Sequence, residues 1–210
     1  METIKKVLFA FMFAFMLALT FQTLSAQAIT TRQNAFYKSY EYEKSANYTA
    51  ALKELNNVYK SDDYFTNIRL GWLYYLSKQY AQSVKFYEKA ISLKPYAIEA
   101  KFGLIKPLSA TEKWDRVKTT YTEILKIDPQ NTLANYWLGV MYYNRKEYAS
   151  ANKLFEKVAN LYPLDYDATI MLGWTKLKQG RTAEAKVLFQ HALTLRPNDS
   201  SSLEGLKLIK

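Results

Sequence analysis

The chain has no cysteine and a single histidine in 210 residues. Disulfides, thiolate metal sites and a cysteine nucleophile are therefore excluded. The lone His191 rules out multi-histidine metal sites and leaves one position for a histidine-dependent hydrolase. Glycine and proline are sparse, at six and five, which excludes collagen-like and low-complexity chains. There is no P-loop, no Gly-x-Ser-x-Gly elbow and no metal-ligand cluster. Acidic residues are the minority, 19 against 29 Lys and Arg, for a formal charge of +10. What is abundant is apolar and aromatic: 49% hydrophobic residues, 18 Tyr, 11 Phe and 4 Trp. That content excludes wholesale disorder. The length suits one ordinary domain or one short repeat array. A basic, aromatic chain suits nucleic acid, an anionic membrane surface or a protein-binding face.

Residues 1–28 read as an address rather than as part of the fold. Lys5 and Lys6 precede Val7 to Phe21, a run of 15 residues without charge. The small residues of Leu24-Ser25-Ala26-Gln27-Ala28 follow, and cleavage after Ala26 or after Ala28 fits a secretory signal peptide. An uncleaved N-terminal anchor is the rival reading, although a span needs about 20 apolar residues. No cysteine follows, so lipoprotein anchoring is excluded. Cleavage removes Glu2, Lys5 and Lys6 and leaves a mature charge of +9. A bacterial-type signal peptide implies a periplasmic or secreted protein. Export turns the expected anionic neighbours from nucleic acid into phospholipid head groups, cell-wall polymers and acidic proteins.

The remaining sequence is periodic. Pro95, Pro129, Pro163 and Pro197 are 34 residues apart. The same step connects Tyr80, Trp114, Tyr148 and Thr182, and also Tyr87, Tyr121, Phe155 and Phe189. It connects Leu70, Leu104, Leu138 and Leu172, followed by Gly71, Ile105, Gly139 and Gly173. Leu138, Gly139 and Tyr142 share one face of a first helix; Ala151, Phe155 and Val158 share one face of a second. A small residue permits close approach of the two helices, and the large ring fills the wedge between units. Proline ends the second helix by disfavouring helical geometry in the residue before it. Such a unit cannot bury its apolar face alone and must stack on neighbours.

Leu70-Gly71-x-x-Tyr74 with Tyr80, Ser83, Tyr87, Ala90 and Pro95 resembles the tetratricopeptide repeat. So do Leu138-Gly139-x-x-Tyr142 with Tyr148, Ala151, Phe155 and Pro163, and Leu172-Gly173 with Ala185, Phe189, Ala192 and Pro197. The resemblance implies an all-α, right-handed superhelical solenoid. Residues 29–210 divide into units at about 32–63, 64–97, 98–131, 132–165 and 166–199, with a capping helix at 200–210. In that last helix Ser200 to Ser202 can cap the N-terminus, while Leu203, Leu206 and Ile209 can cover the last unit. Unit 98–131 departs from the pattern, with Ile105 at the small position and Pro107 inside its first helix. Proline there costs about 3 kcal/mol or a kink, so a bent helix is expected, either as a tuned groove or as a decayed repeat. The first unit lacks the Leu-Gly pair and has Ser39 at the small position.

The resemblance further implies a concave groove lined by the second, fifth, ninth and twelfth positions of each unit. These are Phe65, Ile68, Trp72 and Tyr75; Glu99, Phe102, Lys106 and Ser109; Leu133, Tyr136, Val140 and Tyr143; and Asp167, Ile170, Trp174 and Leu177. The first unit contributes Gln33, Phe36, Tyr40 and Glu43. Stacking does not require Trp72, Trp174, Tyr136 or Tyr143, and exposed aromatic surface marks interaction sites. The expected function is an exported scaffold or adaptor, binding a partner's protein or peptide segment in an envelope-assembly or secretion complex. The bland alternative is that the rings bury one another, or that the chain's own N-terminal helix fills the groove. A carboxylate clamp of the chaperone type is not expected, because only Lys106 could serve one. A second functional reading uses the basic exterior, Lys78, Lys85, Lys89, Lys94, Arg145, Lys146, Lys153, Lys157, Arg181 and Lys186, on membrane or cell-wall anions. No catalytic residue, metal or cofactor is assigned, and His191 is read as a surface residue.

Overall fold

The computed structural model describes Met12, Met16 and residues 30–209. The expected signal peptide, 1–28, lies outside the described residues apart from those two methionines. The described residues are helical throughout, without a strand. Among them, no helix is long and apolar enough to cross a membrane. The chain forms two compact units, one ending at Lys94 and the other beginning at Pro95.

The first unit holds α1 (residues 30–44), α2 (Tyr48–Asn56), α3 (Tyr64–Leu76) and α4 (Tyr80–Leu93). Its core is Ala51, Leu52 and Leu55 of α2 against Leu70 and Leu73 of α3, flanked by Phe36, Tyr59, Tyr74 and Phe86. The α3–α4 pair closes because Gly71 has no side chain. A Cβ there would sit 2.9 Å from the Tyr87 ring. The Ser83 hydroxyl also donates to the Gly71 carbonyl at 2.7 Å, tying α4 to α3 at their closest point.

The second unit holds α5 (Ile98–Ala110), α6 (Trp114–Ile127), α7 (Thr132–Asn144), α8 (Tyr148–Leu161), α9 (Tyr166–Lys178), α10 (Thr182–Leu195) and α11 (Ser200–Leu208). Gly139 against Phe155 and Gly173 against Phe189 repeat the Gly71–Tyr87 arrangement. The α5–α6 pair, with Ile105 where the others have glycine, is held less closely over its length. Helix α5 continues unbroken through Pro107. It ends three residues later, where Thr111 Oγ1 donates to the Pro107 carbonyl at 2.8 Å. Pro107 and Ile105 are both buried.

Two periodic devices set the loops. The first is a run of buried polar residues at the fourth position of the last four repeats: Asn67, Lys101, Asn135 and Thr169. Asn67 Nδ2 donates to the Asp63 carbonyl at 2.8 Å, and Asn135 Nδ2 to the Asn131 carbonyl at 2.8 Å. Thr169 Oγ1 donates to the Asp165 carbonyl at 2.7 Å. Each side chain folds back onto the loop that enters its helix. Lys101 breaks the series and instead reaches Glu123 of α6 at 2.8 Å. The second device is a left-handed residue between paired helices: Ala46, Lys78, Glu112, Lys146 and Gly180, with φ between 55° and 75°.

Helix α11 departs from the sequence expectation in two respects. Its N-cap is Asp199, whose carboxylate accepts the Ser202 N–H at 2.6 Å, so Ser200 to Ser202 do not cap it. Leu203 is exposed. The covering face is Ser202 and Gly205, with Leu206 and Ile209 packed on the Phe189 cluster.

Candidate functional site

In a soluble protein the outward positions of a helix are normally polar. Helices α3 and α7 do not follow this rule. The 13 residues of α3 include one charged side chain, Arg69, and it is buried. The 13 residues of α7 include none.

In the first unit, Phe65 is 60% exposed, while Ile68, Trp72 and Tyr75 are half-buried. Trp72 is more structural than its sequence position implies. Its indole N–H donates to Glu43 Oε1 of α1 at 2.8 Å. The same carboxylate pairs with Arg69. The Arg69 guanidinium also lies 3.8 Å from the centroid of the Tyr40 ring and donates from Nε to Ser39 Oγ at 3.2 Å. Ser39, at the small position of the atypical first unit, thus receives a guanidinium. Tyr75 is held between Trp72 at 5.7 Å and Tyr80 at 6.0 Å between ring centroids.

In the second unit the expected positions separate into three groups. On α5, Phe102 is half-buried with its ring edge-on to Tyr121 at 6.5 Å, and Lys106 is exposed. On α7, Leu133 is 52% exposed, and Tyr136, Val140 and Tyr143 are half-buried. Tyr136 meets Phe155 at 5.8 Å, and Tyr143 meets Tyr148 at 5.5 Å. Burial, and then the charges of Asp167 and Asp165, push the Tyr136 hydroxyl up from its ordinary pKa. On α9, Ile170 is buried, packed with Ala185, Phe189 and Ala192. The expectation that Ile170 lines an open groove is corrected, because α10 and α11 cover this part of α9. Trp174 is likewise engaged: its ring lies 5.2 Å from Phe189 and its indole N–H donates to Ser201 Oγ at 2.8 Å.

Two further tryptophans stand out that the groove positions do not include. Trp114, at the start of α6, and Trp137, in the middle of α7, are 49% and 45% exposed. With Val140, Met141, Asn144 and Arg145 they line a cavity of about 440 Å³. Trp137 also borders a second cavity of about 300 Å³, with Leu133, Tyr136, Asp165 and Asp167. At the C-terminal end of α7, Arg145 Nη2 donates to Asp115 Oδ1 at 2.8 Å. That hydrogen bond, with the charge behind it, holds the Asp115 carboxyl below the ordinary range. No sequence signal marked Trp137, because its repeat equivalents are Arg69, Gly103 and Met171. Among the described residues, no group of three or more metal-ligating side chains comes together. His191 is half-buried on α10.

Comparison with known proteins places this arrangement. Family models described as tetratricopeptide repeat match residues 64–97, 108–166 and 142–207. Among curated proteins, the chain is 25% identical over 175 residues to anaphase-promoting complex subunit 3 of Schizosaccharomyces pombe, covering 83% of this chain and 26% of that protein. It is 26% identical over 113 residues to RNA polymerase-associated protein CTR9 of Caenorhabditis elegans, covering 53% and 10%. The chain thus spans about a quarter or less of the length of these relatives. Among solved structures, a tetratricopeptide repeat protein from Parabacteroides merdae superposes with a TM-score of 0.72 at 17% identity, covering 84% of this chain and 71% of the other. A structure of MamA superposes with a TM-score of 0.67 at 20% identity, covering 86% and 97%. These likenesses establish the fold, an all-α solenoid of helix–turn–helix repeats. The chain belongs to the tetratricopeptide repeat family.

Proposed function

We propose that this protein is an exported scaffold that holds a segment of a partner protein against the aromatic faces of its first helices, within a cell-envelope assembly or secretion complex. The observation that supports it is α7, whose 13 residues carry no charge while Leu133 and Trp137 stay open to solvent. Contiguous exposed apolar surface on a repeat protein marks an interaction site, with aromatic side chains as anchors. The superposing repeat structures support a protein-binding role over a catalytic one. Export rests on residues 1–28 alone, and amino-terminal sequencing of the chain recovered from the envelope fraction tests it.

The binding role is tested with the purified chain as bait in envelope extract, beside a Phe65→Ala/Leu133→Ala variant. Both side chains are exposed, so the fold should persist by circular dichroism. The expected result is loss of a specific partner; unchanged recovery rejects the reading.

A second reading draws on the ten cations named from the sequence, all of which lie on exposed residues. A basic exterior of this kind could contact anionic membrane or cell-wall polymers. It predicts binding to anionic vesicles at low salt that weakens as salt shortens the screening length to about 8–10 Å. No binding at low salt removes it.

A further inference from the structure

Resting on the protein-binding reading above, we propose that α7 recognises a dipolar peptide: apolar at its centre, with a cation at one end and a carboxylate at the other. Trp137 stands half exposed and separates two cavities of about 300 and about 440 Å³. Leu133 lines the first and Met141 and Trp114 line the second. The second cavity is an apolar socket for a large side chain, whereas the first sets Leu133, Tyr136 and Val158 beside Thr132 and two aspartates; the two share one indole wall.

The rims of the sockets carry opposite charge. Asp167, exposed in the first turn of α9, borders the N-terminal socket. Arg145 borders the C-terminal one. The present partner of Arg145 is Asp115, whose side chain is 89% exposed. An ion pair that open to water is weak, and another carboxylate exchanges into it at little cost. A purely apolar face would accept any hydrophobic chain. Opposite charges at its two ends select a segment of matching polarity and disfavour the wrong orientation.

The length of the occupant follows from the helix. Leu133 to Arg145 is 12 residues, or about 18 Å at 1.5 Å per residue. An extended peptide rises about 3.3 Å per residue, so five or six residues cover the site. The polarity also sets this surface apart from the exposed cations elsewhere. Asp167 repels a uniformly anionic ligand, so neither a membrane nor a polyphosphate backbone is the occupant.

The test is calorimetric titration of the purified protein with three blocked hexapeptides: Lys-Leu-Thr-Phe-Ser-Asp, Asp-Leu-Thr-Phe-Ser-Asp and Lys-Leu-Thr-Phe-Ser-Lys. The dipolar peptide is expected to bind about two- to fivefold more tightly than either uniform one, the scale of exposed charge pairs. Asp167→Lys should remove the preference for a cation at that end, where Asp165 still lines the socket, and Arg145→Glu should move the preference to the basic peptide. Trp137→Ala should weaken all three by about tenfold or more, as loss of a central anchor does. Equal affinity for the three peptides, or an order that neither charge variant changes, overturns the dipolar recognition while leaving apolar docking intact. Binding that survives Trp137→Ala, or no binding of any peptide, overturns the α7 site. The broader scaffold reading stands or falls separately, on partner recovery by the Phe65→Ala/Leu133→Ala variant.

Discussion

Single atoms decide where these helices meet. The Phe189 ring is fully buried and lies against Gly173 of α9 and Gly205 of α11. A Cβ on Gly173 would sit 3.0 Å from Phe189 Cε1, and one on Gly205 would run into Cε2 and Cζ on the ring's other edge. The ring is clasped from both sides and has no free direction in which to move. Gly205→Ala is therefore expected to destabilise by about 1–3 kcal/mol, the usual cost of overpacking a core. A lower urea midpoint with an unchanged m-value is the signature; an unshifted midpoint would show that α11 moves aside. Gly205 lies outside the four periodic columns, since its equivalent in the preceding repeat is Met171. Its role follows from the position of α11, which periodicity does not specify.

Helix α5 is the element that departs most from its relatives, and its start differs as well as its middle. Helices α3, α7, α9 and α11 are capped by Asp63, Asn131, Asp165 and Asp199, each side chain accepting a backbone N–H from the first turn. Position 97 is alanine, with no side-chain cap, yet its φ of −78° and ψ of 116° match those of its capped counterparts. Ala97→Asp should therefore supply the missing acceptor in geometry already present. The gain expected is about 0.5–2 kcal/mol, read as a higher denaturation midpoint; no gain would mean that loosened packing around Ile105 limits this helix. The acidic caps also link stability to pH. Burial raises the Asp63 pKa, but hydrogen bonds from Arg32 and Thr66 and the Arg32 charge outweigh it, so the net shift is downward. Asp199 behaves alike: burial raises it, and bonds from Tyr166 and Ser202 lower it further. A depressed folded pKa stabilises above the unfolded value of about 3.9 and loses that contribution as pH falls through the folded pKa. Urea midpoints should accordingly be flat near neutrality and fall below about pH 4. Arg32→Ala should reduce that slope, and an identical slope would exclude Asp63 as a contributor.

Across the whole chain, the 34-residue columns were legible because each has one mechanical task. Tyr80, Trp114, Tyr148 and Thr182 begin α4, α6, α8 and α10, and each helix ends two residues before its proline. The column Asn67, Lys101, Asn135 and Thr169 was equally periodic, but amide, ammonium and hydroxyl do not look alike as residue types. The left-handed turns are hidden for a related reason: only Gly180 is glycine, while Lys78, Glu112 and Lys146 hold the same conformation without a compositional mark. The binding face was legible only in part. Its aromatic excess was visible, but whether a given side chain is open depends on neighbours, which is why Ile170 proved buried and Trp137 exposed. The four tryptophans divide accordingly, and that division has an optical consequence. Trp72 and Trp174 have their indole N–H groups bonded to Glu43 and Ser201, one in each compact unit. Trp114 and Trp137 stand half open beside Arg145. The native emission should therefore contain two components. One should be quenched readily by iodide, an anion that the guanidinium attracts. The other, from rings that are only half-buried, should respond less to iodide, and its spectrum should move to the red as the chain unfolds. The protein thus carries its own pair of lamps: one reads the surface of α7 and the other reads the integrity of the fold.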